Sequence, residues 1–183
     1  IATGVFVRHF VDLETGPPTT LVAANATWKY LADGTNQGTA WRAPGFAATS
    51  WASGPAELGY GNGDEATVVP YVDVNAVTSG IQKNATTYFR HVFQVADPSA
   101  YAALSLACRY DDGVVVYLNG TRVAAAGAMP TGEPAYTYYT GTTSANNAEF
   151  TATVAAAHLV AGSNTLAAEV HQSGDSSSDI SFR

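Results

Sequence analysis

Apolar and polar residues alternate most cleanly between Thr87 and Val95. A strand turns successive side chains to opposite faces. Phe89, Phe93 and Val95 then share one face, and Tyr88, Arg90 and Gln94 the other. Ala103 to Tyr110 repeats the pattern, with Leu104, Leu106 and Cys108 at alternate positions. Asp111-Asp112-Gly113 is a turn signal. Val114 to Leu118 runs into Asn119-Gly120 and returns through Thr121-Arg122-Val123. Asn-Gly between two such runs predicts a tight hairpin, because both residues accept the positive φ it needs. Ala145 to Val154 is a further strand, and Ala155 to Val160 suits one helical turn closed by Gly162. Asn164 to Gln172 alternates again, and Ile180-Ser181-Phe182 reads as a last strand.

The earlier half is less regular. Residues 1–24 hold an alternating run from Val5 to Val11, then Gly16-Pro17-Pro18, and read as a leading strand or a linker segment. A β-sandwich module is expected over 25–183. Trp28 to Leu31 reads as a strand, and Asp33 to Gly63 is rich in turn formers. That region is too long for a plain loop. Its aromatics Trp41, Phe46, Trp51 and Tyr60 are expected to fold it onto the body of the domain. No segment shows three helical turns of amphipathic spacing. Short strands with frequent turns predict an all-β fold, an antiparallel β-sandwich of jelly-roll type. Leu104, Leu106, Cys108, Val116, Leu118, Val170 and Phe182 are the expected core, with Trp28 and Trp51.

Composition narrows the class. Charged residues make up 13% of the 183, about half the usual share for a soluble domain. The polar surface must come from Thr, Ser, Asn and Gly, which suits an extracellular β protein. The formal net charge is −7. Lys29 and Lys83 are the only lysines, and no basic cluster exists. Phosphate backbones need several basic contacts, so nucleic acid and anionic membrane surfaces are excluded as partners. No apolar run is long enough to span a bilayer as a helix. Cys108 is the single cysteine, so no intramolecular disulfide forms, and its apolar setting predicts a buried thiol. The chain starts at Ile1 without a signal-peptide pattern. It is expected to be a mature or excised piece of a larger protein and to be monomeric.

Three pieces of the sequence, in order, resemble the galactose-binding-like jelly roll, including the sugar-binding domain of β-galactosidase-type glycosidases. They are Tyr88-Phe89-Arg90 with Phe93-Gln94-Val95, Asp111-Asp112-Gly113 with Tyr117-Leu118-Asn119-Gly120, and Gly162-Ser163-Asn164-Thr165-Leu166-Ala167 with Glu169-Val170-His171. Trp41 to Phe46, Ser50-Trp51 and Gly59-Tyr60-Gly61 are similar to a subgroup of such modules attached to secreted bacterial hydrolases and surface proteins. The likeness covers Trp28 to Phe182. It implies a non-catalytic, carbohydrate-binding module of a bacterial protein, secreted or at the cell surface. Its partners would be a polysaccharide or oligosaccharide and the neighbouring domains of the same chain. The competing expectation is a structural or adhesive accessory domain without free-sugar binding.

The residues themselves carry no catalytic signature. No H-E-x-x-H or G-x-S-x-G motif is present. Gly59-x-Gly61-x-Gly63 does not open a helix, so it is not a phosphate loop. A sugar site needs an aromatic ring beside charged or amide groups, since saccharides present CH faces and hydroxyl rims. Trp41, Arg42, Tyr60, Arg90, Glu169 and His171 are the candidates. Packing remains open for Trp41, and a cross-strand ion pair for Arg90 with Glu169. Asp33-Gly34-Thr35-Asn36-Gln37-Gly38-Thr39 offers hard oxygen donors at alternating positions, as calcium requires. It is similar to the calcium loop of many galactose-binding-like modules. The expected ligands are Asp33, Asn36 and Thr39, with a late-strand carboxylate, Glu169. An Asp-Gly turn also closes without metal.

Overall fold

A computed structural model describes residues 6–7, 19–75 and 80–183. Its strands, in chain order, are β1 (Phe6–Val7), β2 (Thr27–Leu31), β3 (Ala52–Pro55), β4 (Leu58–Tyr60), β5 (Thr67–Val68) and β6 (Thr86–Val95). They continue as β7 (Ala103–Asp111), β8 (Gly113–Leu118), β9 (Thr121–Ala126), β10 (Ala148–Ala155), β11 (Gly162–His171) and β12 (Ile180–Phe182). Three short 3-10 turns, Ala40–Arg42, Pro98–Ala100 and Ala156–His158, are the helical content among the described residues.

The strands form two sheets. One runs β3-β2-β6-β11-β8-β9, antiparallel throughout. The other runs β1-β7-β12-β4-β5, with β10 also on β7, and only β4–β5 is parallel. The fold is the expected all-β sandwich. Asn119 and Gly120 sit at φ 52° and 85° in the β8–β9 hairpin, as the Asn-Gly signal requires. Asp111-Asp112-Gly113 does something other than close a hairpin. It ends β7 in one sheet and starts β8 in the other.

The inner core is built by alternation. Phe89, Phe93 and Val95 of β6 face Leu104, Leu106 and Cys108 of β7 and Ile180 and Phe182 of β12, all buried in one cluster. Trp28 meets Phe182 edge-on at 4.9 Å, and Phe89 stacks on Phe182 at 4.4 Å. Burial pushes the Cys108 thiol pKa up, which keeps it unreactive. Val22 belongs to this core, and β1 pairs with β7 at Leu106 and Ala107. The rest of the leading segment before residue 19 lies outside the described residues.

A second cluster forms on the outer face of the β6–β11–β8 sheet. Tyr88, Val115, Tyr117 and Ala167 present that face, and Trp41, Trp51 and Phe46 cover it. The turn-rich region is therefore a packed cover, as its aromatics predict. It also contains β3 and β4, which join different sheets. Arg90 ties the cover down, donating to the Trp41 carbonyl and, at 3.2 Å, to the Ala43 carbonyl. Among the described residues no helix is long and apolar enough to cross a membrane.

Candidate functional site

The residues expected to bind sugar mostly meet under this cover. Trp41, at 1% exposure, lies 4.9 Å from the Tyr88 ring and 5.8 Å from the Tyr117 ring. Arg42 stacks on Tyr117 at 4.2 Å and pairs with Glu133 at 2.6 Å. The Tyr117 hydroxyl donates to Glu169 Oε1 at 2.5 Å, and His171 Nε2 lies 3.3 Å from Glu169 Oε2. Arg90 and Glu169 do not form an ion pair; Arg90 is spent on the cover. All of these side chains except the exposed Glu133 are buried, His171 fully. Tyr60 is separate. It sits in the inner core on β4, with Lys83 above its ring at 4.8 Å. Burial raises the hydroxyl pKa of Tyr60 and, more strongly, that of Tyr117, where Glu169 adds to it.

The Asp33–Thr39 turn closes on itself. Asp33 Oδ1 accepts from the Thr35 amide at 3.0 Å and the Thr35 hydroxyl at 2.6 Å. Asn36 Oδ1 accepts from the Gly38 amide at 2.8 Å. These are local side-chain turns that compensate the backbone without metal. Glu169 is held by Tyr117 and His171 instead. Among the described residues no group of three or more His, Cys, Asp or Glu is placed to hold a metal ion.

An open cleft lies at one end of the sandwich, where three distant loops converge. Asp33, Asp73, Gln82, Thr86, Tyr136 and Tyr139 line it. Asn84 builds its floor, because it is buried and satisfied on both amide atoms. Its Oδ1 accepts from the Val72 amide at 3.0 Å and its Nδ2 donates to the Thr86 carbonyl at 2.9 Å. Asp73 Oδ1 accepts from the Gln82 amide at 3.1 Å. The Thr86 hydroxyl donates to the Tyr136 carbonyl at 2.8 Å, and the Tyr139 hydroxyl to the Lys83 carbonyl at 2.6 Å. Gly34 lets the first loop approach, since a Cβ there would sit 2.9 Å from Val74 Cγ1. The loops are thus fixed on a rigid frame, while Tyr136 stays 38% exposed. Sequence reasoning passed over this cleft. The available signal was the aromatic run Tyr136-Thr137-Tyr138-Tyr139 in a loop that follows Gly132 and Pro134.

A third polar region joins the two sheets at Asp111 and Asp112. Asp112 clamps two loops, accepting from the Ser144 amide at 3.0 Å and the Ser173 amide at 2.6 Å. Asp111 is buried beside the Asp112 and Asp179 carboxylates. Burial, then those two neighbours, hold its pKa up at about 9.

The two mostly antiparallel sheets and their order define the class: an all-β sandwich domain. No family model matches the sequence, and no curated protein matches it. Solved structures give partial likenesses, one of them at the level of a shared fold. A β-glucuronidase from glycoside hydrolase family 2 superposes over 93% of this chain, with a TM-score of 0.50 and 14% identity. A Bifidobacterium dentium β-glucuronidase complexed with coumarin-3-O-glucuronide covers 82% of the chain at 13% identity and a TM-score of 0.48. An uncultured Clostridium sp. β-glucuronidase covers 80% at 16% identity and 0.46. This chain spans 14%, 20% and 21% of those proteins, a domain-sized part of each.

Proposed function

We propose that this domain binds a saccharide in the Tyr136 cleft and supplies no chemistry. In this reading it is a module of a secreted bacterial hydrolase and raises that enzyme's local concentration at a polysaccharide. The observation that carries the reading is the cleft itself: tyrosine rings beside Asp33, Asp73 and Gln82 on clamped loops. Rings stack on the CH face of a pyranose, and carboxylate and amide oxygens accept from its hydroxyls. The fold is shared with a domain-sized part of a glycosidase, which supports a module appended to such an enzyme.

Each sugar hydrogen bond replaces one to water, so net affinity is modest. A glycan array with the isolated domain is expected to give hits with Kd on the order of micromolar to millimolar. Tyr136→Ala is expected to weaken the best hit about tenfold, near 1.4 kcal/mol. Unchanged affinity in a folded Tyr136→Ala variant would remove the cleft from the account.

A second reading has its own observation. Val68 at the end of β5, and Val74 and Ile81 beyond it, are exposed, Val68 by 70%. Exposed apolar side chains suit packing against a neighbouring domain. An array without hits would favour this structural role.

A further inference from the structure

A groove beside the cover, over β3, β2 and β6, carries the opposite charge to the rest of the chain. Lys29 of β2 and Arg90 of β6 line it and are directly opposed residues. Opposed residues of an antiparallel pair project to the same face, and like charges placed this way repel. His91, with Nδ1 2.9 Å from the Thr27 carbonyl, lies along the same groove. Among the described residues no Asp or Glu lines it, although the chain has 15 of these against 8 Lys and Arg.

The partners of these two cations are neutral. Lys29 Nζ donates to the Trp51 carbonyl at 3.2 Å, which uses one of its three N–H groups. Arg90 donates to the Trp41 and Ala43 carbonyls. Burial lowers the Arg90 pKa, and no carboxylate opposes that. Among the described residues neither cation forms an ion pair. The positive charge is thus fixed by backbone oxygens of the cover and left without a counter-ion. Half-buried Phe46 and exposed Val92 add apolar surface to the same groove. Its volume, about 610 Å³, lies within the usual range of ligand sites.

We propose that this groove binds an acidic saccharide, a pyranose that bears a carboxylate or sulfate group. The anionic group sits at Lys29, where a charge-assisted hydrogen bond forms. The CH surface of the sugar lies against Phe46 and Val92. Arg90 acts through its field, since its guanidinium stays bound to the cover. The net charge of −7 repels polyanions from the chain as a whole, so attraction is confined to this groove. The groove shares no lining residue with the Tyr136 cleft. Either reading can therefore fail without the other.

The test is isothermal titration calorimetry of the chain at low salt with polygalacturonate, dextran sulfate, neutral dextran and polyglutamate. At least one acidic polysaccharide is expected to bind, and the two arms tell carboxylate from sulfate. Dextran is expected not to bind, and polyglutamate to bind more weakly than the better polysaccharide. Binding should fall steeply toward about 0.5 M NaCl, where the screening length is about 4 Å. Lys29→Gln is expected to weaken binding about fivefold. Val92→Glu, at an exposed position in the groove, should weaken it by at least as much, and Val92→Lys should strengthen it. Val160→Glu, exposed and outside the groove, is expected to change nothing. The Val92 pair decides the matter if Lys29→Gln does not fold. No binding of either acidic polysaccharide to the parent overturns the proposal. So does equal binding of dextran or polyglutamate, or an equal loss in Val92→Glu and Val160→Glu.

Discussion

Replacing Trp41 with alanine is expected to lower the unfolding free energy by about 3–5 kcal/mol. The ring is 1% exposed and touches Trp51, Tyr88 and Tyr117 at 6.3, 4.9 and 5.8 Å between centroids. Its removal opens a cavity between the cover and the sheet, and the cover has few other large side chains to refill it. The Arg90 guanidinium, which donates to the Trp41 and Ala43 carbonyls, would lose its fixed partners if the 3-10 turn shifted. Urea denaturation of the parent and variant measures the loss. A change under about 1 kcal/mol would mean that the cover packs loosely and that Trp41 is available to a ligand. Affinity for any glycan is expected to survive in the folded variant, because the Tyr136 cleft does not include Trp41.

Glu169→Ala is expected to cost a similar amount, about 3–5 kcal/mol, because it removes one partner of a buried polar network. The Tyr117 hydroxyl donates to this carboxylate at 2.5 Å. His171 Nδ1 lies 2.9 Å from the Tyr138 carbonyl, which can only accept, so Nδ1 carries hydrogen. His171 Nε2 then faces Glu169 Oε2 at 3.3 Å. Arg42 sits on the other side of Tyr117 and feels the same negative charge. Without Glu169 the tyrosine hydroxyl loses its acceptor in a place water does not reach. Glu169→Gln keeps one acceptor oxygen and should cost clearly less. Equal losses for the two variants, measured by urea denaturation, would show that the charge matters more than the hydrogen bonds.

The sequence by itself determined the strands that alternate, the hairpin at Asn119-Gly120 and the inner core. These depend on neighbours along the chain. A period of two fixes which residues share a face, and Asn-Gly fixes a local turn. Leu104, Leu106, Cys108, Val116, Leu118, Val170 and Phe182 were legible for that reason, and all lie in the inner cluster. The tertiary structure decided what covers each face. Glu169 and His171 alternate with Val170 and read as a polar face open to a ligand. In the fold both faces of β11 are buried, the polar one under Trp41 and beside Tyr138. Alternation separates two faces but does not say whether water or another part of the chain meets the polar one. Ala52–Pro55 and Leu58–Tyr60 became strands for the same non-local reason. Their Gly and Pro content gives little strand preference, and only pairing with β2 and β12 makes them extended. The cleft joins Asp33, Asp73 and Tyr136, which lie far apart in sequence. No local pattern links them, because Asn84, Thr86 and the folded sheets beneath bring their loops together.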